Sequence, residues 1–192
     1  MTDTHDIILI RHGETEWSVS GQHTGRTDIP LTDTGRQQAE ALGRRVAAWT
    51  FDRVLSSPMS RAIETCRLAG LGDQAELTDD LQEWDYGEYD ALRTVDIREE
   101  RPGWTVWKDG APGGETVDDV GRRADRVLEV ARAAAGDVAL FGHGHMLRVI
   151  AARWIDLPPD YGARLGLSTA TISVLGWERE TAVIHRWNDV AD

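Results

Sequence analysis

Arg11-His12-Gly13-Glu14-Thr15 closes the apolar run Ile7-Ile8-Leu9-Ile10 with a cation, an imidazole and a glycine. Arg11 offers a planar fork of donors matched to phosphate, and His12 is a nucleophile when neutral. Gly13 lets the backbone turn sharply and approach a ligand closely. These are the parts of a phosphoryl-transfer site. Further along, Arg61 follows a second apolar run, and His143 stands in Gly142-His143-Gly144-His145. Between them, residues 83–89 (Glu-Trp-Asp-Tyr-Gly-Glu-Tyr) pack three carboxylates and three aromatic rings into one short segment. Alone, that segment reads as a solvated loop with packing rings. Beside an arginine and histidine site, a carboxyl held against Trp84 and Tyr86 can serve as a proton donor, because apolar contact favours its protonated form. Glu83, Asp85 and Glu88 are the alternatives.

The elements that must position these residues are legible in outline. The run 7–10 predicts a short buried strand with the first motif at its carboxyl end, the edge at which open α/β sheets bind ligands. Residues 16–26 predict a polar, glycine-punctuated loop, with Trp17 a packing residue. Residues 36–49 predict a helix capped by Thr32, with Arg44 and Arg45 on a solvated face. Val54–Ser57 predicts a second strand, and Pro58 the start of a helix through Leu68 that carries Arg61 in its first turn, where an anion is favoured. Residues 77–81 predict a third edge strand and 91–99 a short helix, with 101–107 irregular. A long helix is expected over 116–135 with one apolar face. Glu115, just before it, could cap that helix or approach the pocket. A strand over 137–142 delivers His143, Gly144 and His145 to the same edge, and a helix follows from Met146 to Trp154. Two strands, 168–176 and 181–187, joined by a turn over 177–180, give the sheet at least one antiparallel member.

The four motifs, in this order, make the chain resemble the histidine phosphatase superfamily, also called phosphoglycerate-mutase-like, from Ile7 through the helix after His143. The resemblance implies an α/β fold of three layers, with a mixed, mostly parallel central sheet and helices on both faces. It implies that His12 attacks phosphorus while Arg11, Arg61 and His143 hold the equatorial oxygens, and that Glu83 is the acid. By matching positions, Thr24 and Gly25 bring a hydroxyl and a backbone amide to the substrate, and Ser18, His23, Tyr86 and Gly144 line it. Mutases of the family carry asparagine where Ser18 stands. Arg148 matches a position that offers a cation to the far end of a sugar bisphosphate, and a surface charge is its competing reading.

The motifs look most like the branch that holds acid phosphatases and a sedoheptulose bisphosphatase. Dedicated mutases carry a basic insertion in the region that this chain crosses quickly between residues 100 and 116. The resemblance therefore implies a metal-independent phosphomonoesterase needing no cofactor. A cofactor-dependent phosphoglycerate mutase and a non-catalytic phospho-ligand-binding module are the alternatives.

Size and charge set outer limits. A chain of 192 residues with 41% hydrophobic content is expected to form one domain, 1–192. The net charge of −12 argues against nucleic acid or an anionic membrane as a partner. It leaves room for a small phosphorylated metabolite in a locally positive pocket, and it leaves a homodimer open. His143 and His145 could be metal ligands, but no further ligands cluster with them and the arginines would repel a cation, so no metal is expected. The N-terminal residues have neither the basic start nor the apolar stretch of a signal peptide, no segment is long enough to span a membrane, and Cys66 is the only cysteine. A cytoplasmic location is expected.

Overall fold

A computed structural model describes residues 5–190. Its framework is one six-stranded sheet in the order β3-β2-β4-β1-β5-β6. The strands are β1 (Ile7–Arg11), β2 (Arg53–Ser56), β3 (Ala75–Leu77), β4 (Val138–Gly142), β5 (Thr171–Glu178) and β6 (Thr181–Val190). Strands β3, β2, β4 and β1 run parallel, and β5 pairs antiparallel with both β1 and β6. The mixed, mostly parallel sheet expected from the sequence is what forms.

Apolar residues on β1 divide by parity, as a strand buried on both faces requires. Ile7 and Leu9 pack with α6 (Val117–Arg132) and α7 (Gly144–Trp154), while Ile8 and Ile10 pack toward α2 (Asp33–Val46) and α3 (Ser60–Leu68). Helices therefore cover both faces, giving three layers. All four of these β1 side chains are buried, each stabilising the fold by about 1.5–3 kcal/mol through removal from water.

The element bounds correct several expectations. Residues 16–20 are not loop but the short helix α1 (Glu16–Ser20), closed by a reciprocal cap between Thr15 and Ser18. Helix α2 begins three residues earlier than expected, at Asp33, with Thr32 as its cap. Helix α3 begins at Ser60 rather than Pro58. The third edge strand is displaced to 75–77, because pairing with Val54–Ser56 sets its register, and Asp79–Leu81 turns as a 3-10 helix instead. The next two helices are α4 (Thr94–Glu100) and a single turn, α5 (Val106–Asp109), in the segment expected to be irregular. Helix α7 begins at Gly144, with His143 as its cap residue. The hairpin β5–β6 turns on Arg179 and Glu180 alone. Arg45 is not part of a solvated face: it donates to the Asp189 carbonyl at 3.1 Å and pairs with its carboxylate at 2.5 Å. Among the described residues no helix is long and apolar enough to cross a membrane.

Candidate active site

Strands β1 and β4 end side by side, with Arg11 opposite Gly142, so the first and last motifs meet at one sheet edge. Backbone bonds fix the crossing: His12 N donates to Gly142 O at 3.1 Å, and Gly13 N donates to Thr65 Oγ1 of α3 at 3.0 Å. Gly13 lies directly on Gly35 at the start of α2, where any Cβ would strike the Gly35 backbone. That contact is why the motif needs glycine there.

The buried His12 ring places Nδ1 2.7 Å from the Gly13 carbonyl oxygen. A carbonyl only accepts, so Nδ1 carries the proton and Nε2 keeps its lone pair. Burial, and then the charges of Arg11 and Arg61, hold the His12 pKa well below its ordinary value near 6.5. The ring is a neutral nucleophile with its reactive nitrogen uncommitted.

Arg11 donates through Nη1 to the Leu167 carbonyl at 2.5 Å, while its buried Nε has no hydrogen-bond partner. An orphaned buried guanidinium donor is costly unless an anion satisfies it. Gly144, at the first position of α7, makes room for this guanidinium, since a Cβ there would stand 3.2 Å from Arg11 Cζ.

Arg61 and His143 depart from the expected clamp. Both are fully buried, and neither lines the cavity that Arg11 and His12 open onto. Arg61 donates to the carbonyls of Thr24, Gly25 and Thr27 at 3.2–3.3 Å, and its Nε donates to His143 Nδ1 at 3.2 Å. The other imidazole nitrogen of His143 must then carry hydrogen, and Nε2 donates to Ser57 Oγ at 2.7 Å. Burial first, and Arg61 second, hold His143 neutral. The pair forms the wall behind His12, whose ring centroid is 5.2 Å from that of His143.

Glu83 also lines the cavity, and backbone amides, not aromatic side chains, are the hydrogen-bond partners of its carboxyl. Oε1 accepts from Trp84 N at 3.0 Å and Met146 N at 2.9 Å, and Oε2 accepts from His145 N at 3.0 Å. Two of these donors are first-turn amides of α7, the helix end that favours an acidic group. Oε1 is filled, so the remaining lone pair on Oε2 is the place for a transferable proton. Asp85 instead accepts from Gly87 N and pairs with Arg26, and Glu88 is exposed. Neither reserve carboxylate lines the cavity.

The cavity has a volume of about 210 Å³. Ser18, His23, Thr24, Tyr86, Gly144 and Arg148 line it, as expected, and so do His145 and Trp17, the latter in place of its expected packing role. Gly25 does not. Its amide donates to Asp90 Oδ1 at 2.7 Å and is unavailable to a ligand, a correction to its matched position. The Ser18 hydroxyl is tied to Thr15, accepting from its amide at 2.9 Å and donating to its carbonyl at 2.8 Å. Arg148 reaches the cavity, yet its Nε and Nη2 donate to the Gly162 and Ala163 carbonyls at 2.9 and 3.1 Å, and its guanidinium stacks 4.6 Å above the Trp107 ring. It is therefore no free surface charge, and most of its donors are committed.

Three supporting residues escaped the sequence reading. Ser57 anchors His143. Asp90 holds the 25–27 loop through Gly25 N, Thr27 N and Thr27 Oγ1. Arg123 donates to the backbone carbonyls of Asp80, Gln82 and Glu83 and forms a two-pronged pair with Glu115 at 2.7 and 2.8 Å. Glu115 thus neither caps α6 nor reaches the pocket; Thr116 is the cap. The available signal was Arg123 itself, a cation on the apolar face of α6 beside Val120, Ala124 and Val127. Ser57 and Asp90 act through neighbours distant in sequence and left no such mark. Among the described residues no group of three or more His, Cys, Asp or Glu side chains is placed to hold a metal ion.

Comparison with known proteins agrees with this geometry. The model of the histidine phosphatase superfamily (branch 1) matches residues 7–190. The chain is 44% identical over 187 residues to an acid phosphatase of Mycobacterium tuberculosis, covering 94% of this chain and 92% of that protein. It is 36% identical to the sedoheptulose 1,7-bisphosphatase of Saccharomyces cerevisiae, covering 80% and 69% respectively. A solved structure of a Mycobacterium tuberculosis open reading frame product superposes with a TM-score of 0.93 at 41% identity, covering 98% of this chain and 99% of that one.

Proposed function

Because the chain belongs to the histidine phosphatase superfamily, branch 1, we propose that it hydrolyses phosphate monoesters of small metabolites through a phosphoryl group carried on His12. It is a hydrolase, and the phosphohistidine route is general to its family. The observation that carries the assignment to His12 is its locked tautomer beside the unpartnered Arg11 Nε in one cavity.

In the first step Nε2 of His12 attacks phosphorus in line, the N–P bond forms, and the bond to the ester oxygen breaks. Glu83 gives the proton on Oε2 to that leaving oxygen. In the second step water attacks phosphorus, the N–P bond breaks, and Glu83 takes the water's proton, which restores both groups. Arg11 compensates charge on the equatorial oxygens, and its Nε is the donor free to do so. Arg61 and His143 act from behind the site, Arg61 by fixing the 24–27 loop and both by forming the wall behind His12. The arginines supply the positive charge, so the mechanism asks for no metal or cofactor. The cavity draws its lining from the end of β1, from α1, from the segments 21–24 and 83–86 and from α7, which supports a single catalytic domain. We keep the cytoplasmic location as part of this proposal, supported by the solitary, buried Cys66. Nucleic acid and membranes are not partners in this reading.

The mutase reading needs a cover that retains the phosphoryl group and excludes water. Between α4 and α6 this chain has only the single turn α5, which favours water as the acceptor. Turnover of a phosphate monoester measured with and without a bisphosphoglycerate primer separates the readings. Primer-independent release of inorganic phosphate is expected. Strict dependence on the primer would make the protein a mutase, and no turnover at all would make it a binding module.

A further inference from the structure

The mechanism leaves one hydrogen-bonded pair unused: His145 Nδ1, on a half-buried ring, lies 2.5 Å from the Tyr86 hydroxyl. Tyr86 is buried, and that contact is its hydroxyl's one hydrogen bond among the described residues. A buried hydroxyl must place its proton on an acceptor or lose that hydrogen bond's worth of stability. Tyr86 therefore donates to Nδ1, Nδ1 is the bare nitrogen, and the ring's hydrogen is on Nε2. Nε2 makes no hydrogen bond among the described residues, and the ring lines the cavity. The backbone fixes the ring's position as well, since His145 N is committed to Glu83.

We propose that His145, its tautomer set by Tyr86, is a substrate-binding residue whose Nε2–H grips an uncharged oxygen, such as a hydroxyl beside the ester carbon, on the leaving-group side of the substrate.

This rests on the phosphatase reading and deepens it by naming the substrate class: hydroxylated phosphate esters over plain aryl esters. A neutral donor suits a neutral acceptor. Burial, followed by the charges of Arg148, His23 and Arg11, keeps the imidazole uncharged, and burial chiefly keeps the Tyr86 hydroxyl protonated. A second phosphate would be served by a cation, and the cation on this side is Arg148.

Nitrogen-15 NMR of the imidazoles in the intact wild-type protein reads the tautomer without any variant. Hydrogen on Nε2 of a neutral His145 is expected at pH 7; hydrogen on Nδ1, or an imidazolium, would overturn the proposal. Kinetics then test the grip. In His145→Leu, kcat/KM for glycerol 2-phosphate should fall about tenfold further than kcat/KM for phenyl phosphate, the scale of one neutral hydrogen bond. His145→Gln, which keeps an N–H donor near the position of Nε2, should recover most of that difference. Equal losses on both esters, or no recovery with glutamine while leucine shows the difference, would overturn the role. Wild-type turnover of phenyl phosphate stands or falls with the phosphatase reading alone, so the two failures are distinguishable.

Discussion

The Nδ1–H of His12 donates to the carbonyl oxygen of its own neighbour, Gly13, at 2.7 Å, and this one bond turns the opposite nitrogen into a nucleophile. Gly13 also lies against the Gly35 backbone, so one glycine both makes the tight contact and supplies the carbonyl that sets the preceding ring's tautomer.

The first prediction concerns pH. The reactive form of His12 is the neutral one, and its pKa is held well below 6.5 by burial and by Arg11 and Arg61. Lowering the pH through 6.5 therefore does not protonate it, and the nucleophile is retained in acid. Once the ionisation of the ester itself is corrected for, kcat/KM for an aryl phosphate should decline only well below pH 6.5. A half-loss of activity near pH 6.5 would mean that His12 titrates as an ordinary histidine.

Glu83 should matter in proportion to the leaving group's need for a proton. In Glu83→Gln the amide cannot give up a proton, so turnover of alkyl phosphates should fall by about 10²–10⁴-fold. The loss on 4-nitrophenyl phosphate, whose leaving group needs no proton, should be much smaller. Parallel losses on both would remove the acid role from Glu83, and the geometry offers neither Asp85 nor Glu88 in its place.

Arg148 joins the cavity to the carbonyls of Gly162 and Ala163, and it should act on substrates through a second anionic group. Arg148→Ala should lower kcat/KM for a sugar bisphosphate or phosphoglycerate about tenfold more than for 4-nitrophenyl phosphate, the loss of one charge-assisted hydrogen bond. It should also lower stability by about 1–3 kcal/mol, because two buried-side carbonyl contacts go with it. Equal kinetic losses on all esters would confine Arg148 to holding the 3-10 helix Pro159–Arg164.

How much could be read from the sequence follows from how local each interaction is. The strand before the first motif, the Thr32 cap and the apolar face of α6 are written in neighbouring residues, and they form as expected. Helix α1 was hidden because its cap pairs Thr15 with Ser18, a serine where an acidic residue would usually mark the motif. Strand β3 is three residues of mostly exposed chain, held only by its partner β2. The motif residues His12, Arg11, Glu83 and Gly144 reach one cavity, as their types and order suggested. The withdrawal of Arg61 behind the wall, and the seat of Glu83 on the amides of His145 and Met146, depend on carbonyls and amides far away in the chain, and no local pattern announces them.

Phosphoryl transfer to His12 is tested most directly by trapping the intermediate. Protein quenched in alkaline denaturant during turnover of a phosphorus-32-labelled monoester should carry label on His12 that survives base and is lost in acid, and His12→Asn should carry none and turn over no substrate. Label stable in acid on a serine or threonine, or undiminished turnover by His12→Asn, would contradict the account.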